Sequence, residues 1–113
     1  VAGILNLATH EVCWSSAGHY PPPIIFEPNQ PPQILTTSSF PLGLTEELEV
    51  VEHRCTLSRQ ARFILCSDGA LEPFDGGLND QFNQLVEHLQ HDAFKAPDHV
   101  ADDIAILSIC RMN

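Results

Sequence analysis

Three carboxylates sit where the chain passes between apolar and polar residues. Asp68 follows the run Phe63-Ile64-Leu65-Cys66 after one serine, and Asp102-Asp103 open the run Ile104-Ala105-Ile106-Leu107. A carboxylate at the tip of a buried strand is held on a rigid mount. An Asp-Gly pair such as Asp68-Gly69 is also an ordinary way to start a turn. If the two runs are neighbouring antiparallel strands, both acidic tips fall at one edge of a sheet. Carboxylates gathered there without a nearby Lys or Arg repel one another, and a hard divalent cation relieves that repulsion. An all-oxygen donor set favours Mg or Mn over Zn. Spacing alone leaves the turn and the metal site as alternatives.

Other reactive side chains read more plainly. His88 and His91 are three apart on a helical stretch with Asp92 behind them, a spacing that suits a solvated face better than a zinc pair. His19 suits a turn histidine bonded to backbone, with phosphate contact as the alternative. Cys13, Cys55, Cys66 and Cys110 show no CxxC spacing, and three of them lie in apolar strand-like runs, where free cysteine behaves as a small hydrophobe. No CxxxxxR phosphate loop supports a cysteine nucleophile. Glu46, Glu47, Glu49 and Glu52 read as a solvated strand face, with a docking site for a basic partner as the alternative.

The elements that must carry these groups follow from periodicity. "AGILNLATHEVCWSSAG" reads as two strands joined at Thr9-His10, with Trp14 in the core or on a sheet surface facing a helix. Ile24-Ile25-Phe26 and Ile34-Leu35 flank the turn "EPNQPP", which suggests edge strands or a hairpin. A proline-rich recognition ligand at Pro21-Pro22-Pro23 competes with that reading. "SSFPLGL" and "KAPDHVA" are loops. Leu48, Val50 and Glu52 share one face of a strand. "ARFILCSD" and "DDIAILSICRM", apolar on both faces, read as central strands. Phe82, Leu85, Val86 and Leu89 define a helix over 78–90, with Asn79 or Asp80 as its N-cap. Many strands, one helix and a last strand make a mostly antiparallel α+β layer structure. One helix leaves a sheet face uncovered, either an association surface or the mark of missing chain.

The totals bound the function. At 113 residues the chain is one domain or part of one, and 43% hydrophobic content suffices for a core. Fifteen acidic against five basic residues give a formal charge of -10. That balance argues against nucleic acid, whose affinity comes largely from Lys and Arg on phosphates, and against an anionic membrane surface. A cation or a basic partner suits the field better. With no signal peptide and no apolar span of about 18 residues, a reduced, cytoplasmic protein is expected. A receiver domain is excluded by order. Its acidic pair would come early and its lysine on a late strand, whereas the acidic pair here is late and the only lysine, Lys95, lies in a loop.

Five stretches in order, "WSSAGHYPPPII", "SSFPLGL", "FILCSDGALEPFDG", "QFNQLVEHLQ" and "ADDIAILSI", resemble the C-terminal half of the metal-dependent protein phosphatase fold. The family is protein phosphatase 2C, and the likeness is to its bacterial stage II sporulation E-type branch, over about Val1 to Met112. The resemblance implies half of an α/β/β/α sandwich. Asp68 and Asp102 match metal-binding aspartates, with Gly69, Asp103 and His19 in supporting places. Ala105 stands where the family usually has Thr or Ser. In such phosphatases two Mg or Mn ions about 3.5–4 Å apart hold a water for in-line attack on phosphoserine or phosphothreonine. The family's earlier motifs, which supply a bridging Asp and a Gly carbonyl, have no match in residues 1–113. The expectation is therefore a C-terminal portion with an incomplete two-metal site, inactive by itself, from a parent serine/threonine phosphatase. Implied partners are a phosphorylated regulatory protein, such as an anti-sigma-factor antagonist, and an upstream receiver or sensor domain. The exposed sheet edges of a truncated domain also favour self-association. The rival expectation is a catalytically incompetent phosphatase-like domain that serves as an interaction module.

Overall fold

The structure, a computed structural model, describes residues 1–16, 19–36, 52–95, 97–98 and 102–112. The loop read at 38–44, the strand-face residues Glu46, Glu47, Leu48, Glu49 and Val50, and the Ala17-Gly18 pair lie outside the described residues, as does part of "KAPDHVA". Among the described residues, seven strands and two helical segments form two antiparallel sheets with one long helix. β1 (Ala2–Asn6), β2 (Glu11–Ser15) and β5 (His53–Thr56) make the first sheet in the order β1-β2-β5. β3 (Ile24–Phe26), β4 (Gln33–Ile34), β6 (Arg62–Cys66) and β7 (Ile106–Cys110) make the second in the order β4-β3-β6-β7. A 3₁₀ helix (Asp68–Leu71) follows β6, and α1 spans Leu78–Gln90.

β6 faces two cores because side chains alternate along a strand. Phe63 points toward the first sheet, where it packs with Val12, Trp14, Ile25, Leu57 and Ala61. Ile64 and Cys66 point the other way, into a second core with Ile24, Phe26, Ala70, Leu71 and the α1 residues Phe82, Leu85 and Leu89. The layers are therefore helix, sheet, sheet. Trp14 sits between the sheets, 5.6 Å from Phe63 and stacked on His53 at 5.3 Å. Pro21–Pro23 are buried, so they form part of the packing and not a displayed proline ligand.

Two expectations are corrected. β7 does not lie at the centre of a sheet: among the described residues it pairs only with β6 and stands at the edge. Ile106 and Leu107 are exposed there. Apolar residues on both faces report what a strand can bury and carry no information on whether a second neighbour is present. The helix N-cap is Gly77, with no side-chain cap bond, in place of Asn79 or Asp80. Those two lie inside the first turn, where Asp80 complements the helix dipole. Of the strand read around Leu48, Val50 and Glu52, the described part is β5 from His53, with exposed Glu52 just before it. The outer face of the first sheet is uncovered among the described residues, as expected: Ile4 is 75% exposed, opposite Cys13 and in line with Arg54.

Arg62 fastens α1 to the second sheet. Its guanidinium donates to the Leu89 and Gln90 carbonyls at 3.3 and 3.2 Å, reaches Asp92 Oδ1 at 3.0 Å, and lies 4.9 Å from the Phe26 ring centroid. Carbonyls at a helix C-terminus lack intrahelical partners, and a cation there satisfies them and the dipole together. Arg62→Ala is expected to cost about 1–3 kcal/mol by urea unfolding. An unchanged midpoint would show that water replaces the guanidinium without loss.

All four cysteines are free thiols. Burial pushes the Cys66 thiol up to about 11, while Cys110 is exposed. A thiol reagent at neutral pH is expected to modify Cys110 rapidly and Cys66 only on unfolding. The stabilising contribution of protonated Cys66 is fully present below the ordinary thiol value of 9.0 and lost as pH rises through about 11. Urea midpoints for the native chain and Cys66→Ala should therefore converge across that range.

Candidate metal centre

β6 and β7 pair antiparallel with Cys66 opposite Ile106, so the residues after one and before the other emerge at the same end of the sheet. Asp68 and Asp102 are brought together there, as their positions on the chain suggest. Ser67 holds the junction. Its N–H donates to the Ala105 carbonyl at 2.8 Å, its hydroxyl accepts from the Ala105 N–H at 2.9 Å, and the same hydroxyl donates to the Asp103 carbonyl at 3.2 Å. Three bonds from one residue fix the β6 tip against the segment that delivers Asp102. The buried Ala70 and Leu71 anchor the following 3₁₀ helix in the core, which leaves Asp68 at its exposed start.

Gly69 is required for space. An Asp-Gly pair suggests a turn that uses glycine's backbone freedom, but Gly69 does not adopt the left-handed conformation. A Cβ there would lie 3.0 Å from the Asp103 carbonyl carbon and 3.3 Å from the Asp102 carbonyl oxygen, and closer still to the Asp103 carbonyl oxygen. Only a residue without a side chain lets the two backbones approach so closely.

The electrostatics match two carboxyls at close quarters. The Asp103 N–H donates to Asp102 Oδ1 at 2.8 Å and draws the Asp102 carboxyl down. The hydrogen bond and charge of Asp68 outweigh that, so Asp102 titrates above its ordinary value. Both side chains are exposed. Asp103 contributes its backbone, through the bonds to Asp102 and Ser67.

His19 sits beside them with its Nε2 2.8 Å from the Cys66 carbonyl, the backbone-bonded role expected of it, donating as the Nε2–H tautomer. His19, Tyr20, Ser67, Asp68, Leu71 and Leu78 line a depression of about 470 Å³. Sequence reading missed Ser67 and Leu78. The first is a polar residue at a strand end, and nothing local announces a partner 38 residues away. The second lies on the helix's apolar stripe, one turn before Phe82, where it reads as one more core residue. His88 is not paired with His91 for a metal: its Nδ1 lies 2.8 Å from the Gln84 carbonyl and its ring 4.9 Å from Phe74. Among the described residues no three His, Cys, Asp or Glu side chains converge as a metal site. No described helix is long and apolar enough to cross a membrane.

Comparison with known proteins bears on the fold. No curated protein sequence matches the chain. Among solved structures, the phosphatase domain of the cell fate determinant SpoIIE from Bacillus subtilis, Mn presoaked, superposes with a TM-score of 0.66 at 18% identity, over 99% of this chain and 55% of that one. A second structure, the PP2C phosphatase domain with a fragment of the regulatory domain of SpoIIE from Bacillus subtilis, gives 0.62 at 18% identity, over 94% of this chain and 36% of that one. The chain thus spans about half of the phosphatase domain it resembles. The family model for stage II sporulation protein E matches residues 1–112, and the chain belongs to that family.

Proposed function

We propose that this chain is the C-terminal portion of a Mg- or Mn-dependent protein phosphatase domain that hydrolyses phosphoserine or phosphothreonine on a regulatory protein. The observation that carries this reading is the convergence of Asp68 and Asp102 from two paired strands onto one exposed edge. Their donor type fits a hard divalent cation, and the mutual repulsion of the pair is what such a cation relieves. Mg in particular uses one or two carboxylates alongside substrate phosphate and water. Bound there, such ions lower the pKa of a water and offset charge on the phosphoryl oxygens.

The chain's own residues position that chemistry. Asp68 and Asp102 hold the charge, Ser67 and the Gly69 contact set their separation, and His19 ties the neighbouring turn to the end of β6. Cys66 stays protonated and buried, so no covalent cysteine intermediate enters. The remaining ligands would come from the other half of the domain, upstream of Val1. A cytoplasmic setting, a phosphorylated anti-sigma-factor antagonist as substrate and an upstream receiver or sensor domain belong to the same proposal. The alternative is a phosphatase-like module that binds a partner without turnover.

Mn-dependent hydrolysis of a phosphoserine peptide separates the two, run on this chain and on the protein extended upstream. Activity is expected only in the longer protein, with Asp68→Ala or Asp102→Ala lowering it more than about 100-fold. A folded, inactive longer protein would establish the binding module. Gly69→Ala is expected to force the Asp103 carbonyl away, costing about 1–3 kcal/mol in urea unfolding and weakening Mn-dependent activity as well. A variant as stable and active as the native protein would mean that the strand tips are not held at the described separation.

A further inference from the structure

Residues 102–105 deliver Asp102 without a strand to hold them. β7 starts at Ile106, and the last rung of its ladder is Ile106 opposite Cys66. Asp102, Asp103 and Ala105 are exposed, and of the four only Ile104 is partly buried, against the helix-side core. A segment with so little packing is easily displaced, and the like charge of Asp68 opposes the approach of an ionised Asp102.

Ser67 reaches across this gap. Its N–H extends the ladder by one bond, to the Ala105 carbonyl at 2.8 Å. Its hydroxyl accepts from the Ala105 N–H at 2.9 Å and donates to the Asp103 carbonyl at 3.2 Å, so the two bonds bracket Ile104. Asp103 in turn directs its N–H to Asp102 Oδ1 at 2.8 Å. The hydroxyl of the residue next to Asp68 is thus linked, through Asp103, to the carboxylate of Asp102. A serine hydroxyl carries a single proton. With that proton on the Asp103 carbonyl, Ser67 has no side-chain donor to offer a phosphoryl oxygen, although it lines the same depression as Asp68. Its hydroxyl acts on backbone, not on substrate.

Resting on the metal-dependent reading, we propose that Ser67 is a positioning residue that sets divalent-cation affinity by holding Asp102 beside Asp68. It acts through Asp103, and its loss frees the Asp102 segment to move away from the strand tip.

The test is Mn binding to the complete protein, read from the loss of the free Mn paramagnetic resonance signal. Hydrolysis of p-nitrophenyl phosphate is followed in parallel across Mn concentrations. Ser67→Ala is expected to raise the Mn Kd roughly 10–100-fold, the range for residues that orient metal ligands. Ser67→Cys keeps the shape but bonds weakly, so it should raise the Kd too, and it serves if the Ala variant does not fold. Ser67→Thr keeps the hydroxyl and should stay near the native Kd. The Mn concentration that half-saturates hydrolysis should rise with the Kd, while the rate at saturating Mn is kept. Arg62→Ala, which loosens the fold at the other end of β6, should leave the Mn Kd unchanged. A native Kd in Ser67→Ala or Ser67→Cys would overturn the proposal, as would a Thr variant as weak as the Ala one. An equal loss of affinity in Arg62→Ala would assign Ser67 to general stability and overturn it too. Mn binding by the native protein that is insensitive to Asp68→Ala would sink the cation-site reading itself, an outcome distinct from any failure of the Ser67 variants alone.

Discussion

The two-sided burial of β6 is the constraint on which the rest of the structure depends. Phe63 on one face and Ile64 and Cys66 on the other belong to different cores, and each is at most 4% exposed. Fully burying a large apolar side chain contributes about 1.5–3 kcal/mol, so neither face can be released cheaply. A one-residue slip of this strand would send Phe63 toward the helix and Ile64 toward the first sheet, and both cores would fail together. The strand is held from both sides, and Asp68 at its tip inherits that rigidity.

The acidic edge works against the fold that holds it. Two ionised carboxyls in contact on a chain with a formal charge of -10 repel each other, and Asp102 titrates above its ordinary value because of Asp68. The neutral framework absorbs the repulsion. Ser67 contributes three bonds across the strand ends, and Gly69 admits a backbone approach that any side chain would block. Such local conflict maintained by surrounding order is the feature on which the proposed cation site rests.

Much of this is legible in the residues. The 78–90 helix follows from the spacing of Phe82, Leu85 and Leu89, and the hairpins from prolines and turn residues between apolar pulses. The meeting of Asp68 and Asp102 follows from two apolar runs read as partners. What stays hidden is non-local. The edge position of β7 depends on which neighbours exist, the value of Gly69 on a backbone far along the chain, and the three bonds of Ser67 on the same stretch. Periodicity reports which residues can be buried, and a Gly reports that room or freedom is needed; neither says what occupies the room.

The span between Ser67 and Ala105 has a consequence for the order of assembly. The β1–β2 and β3–β4 hairpins and α1 close over short stretches of chain, whereas the β6–β7 ladder closes a loop that contains the whole helix. Long closures carry the larger entropy cost and form late. Until β7 docks, Asp68 and Asp102 are two separate carboxylates with no shared site. A divalent cation bound to the pair would therefore add its stability only once the β6–β7 ladder has closed, favouring the docked strand by mass action.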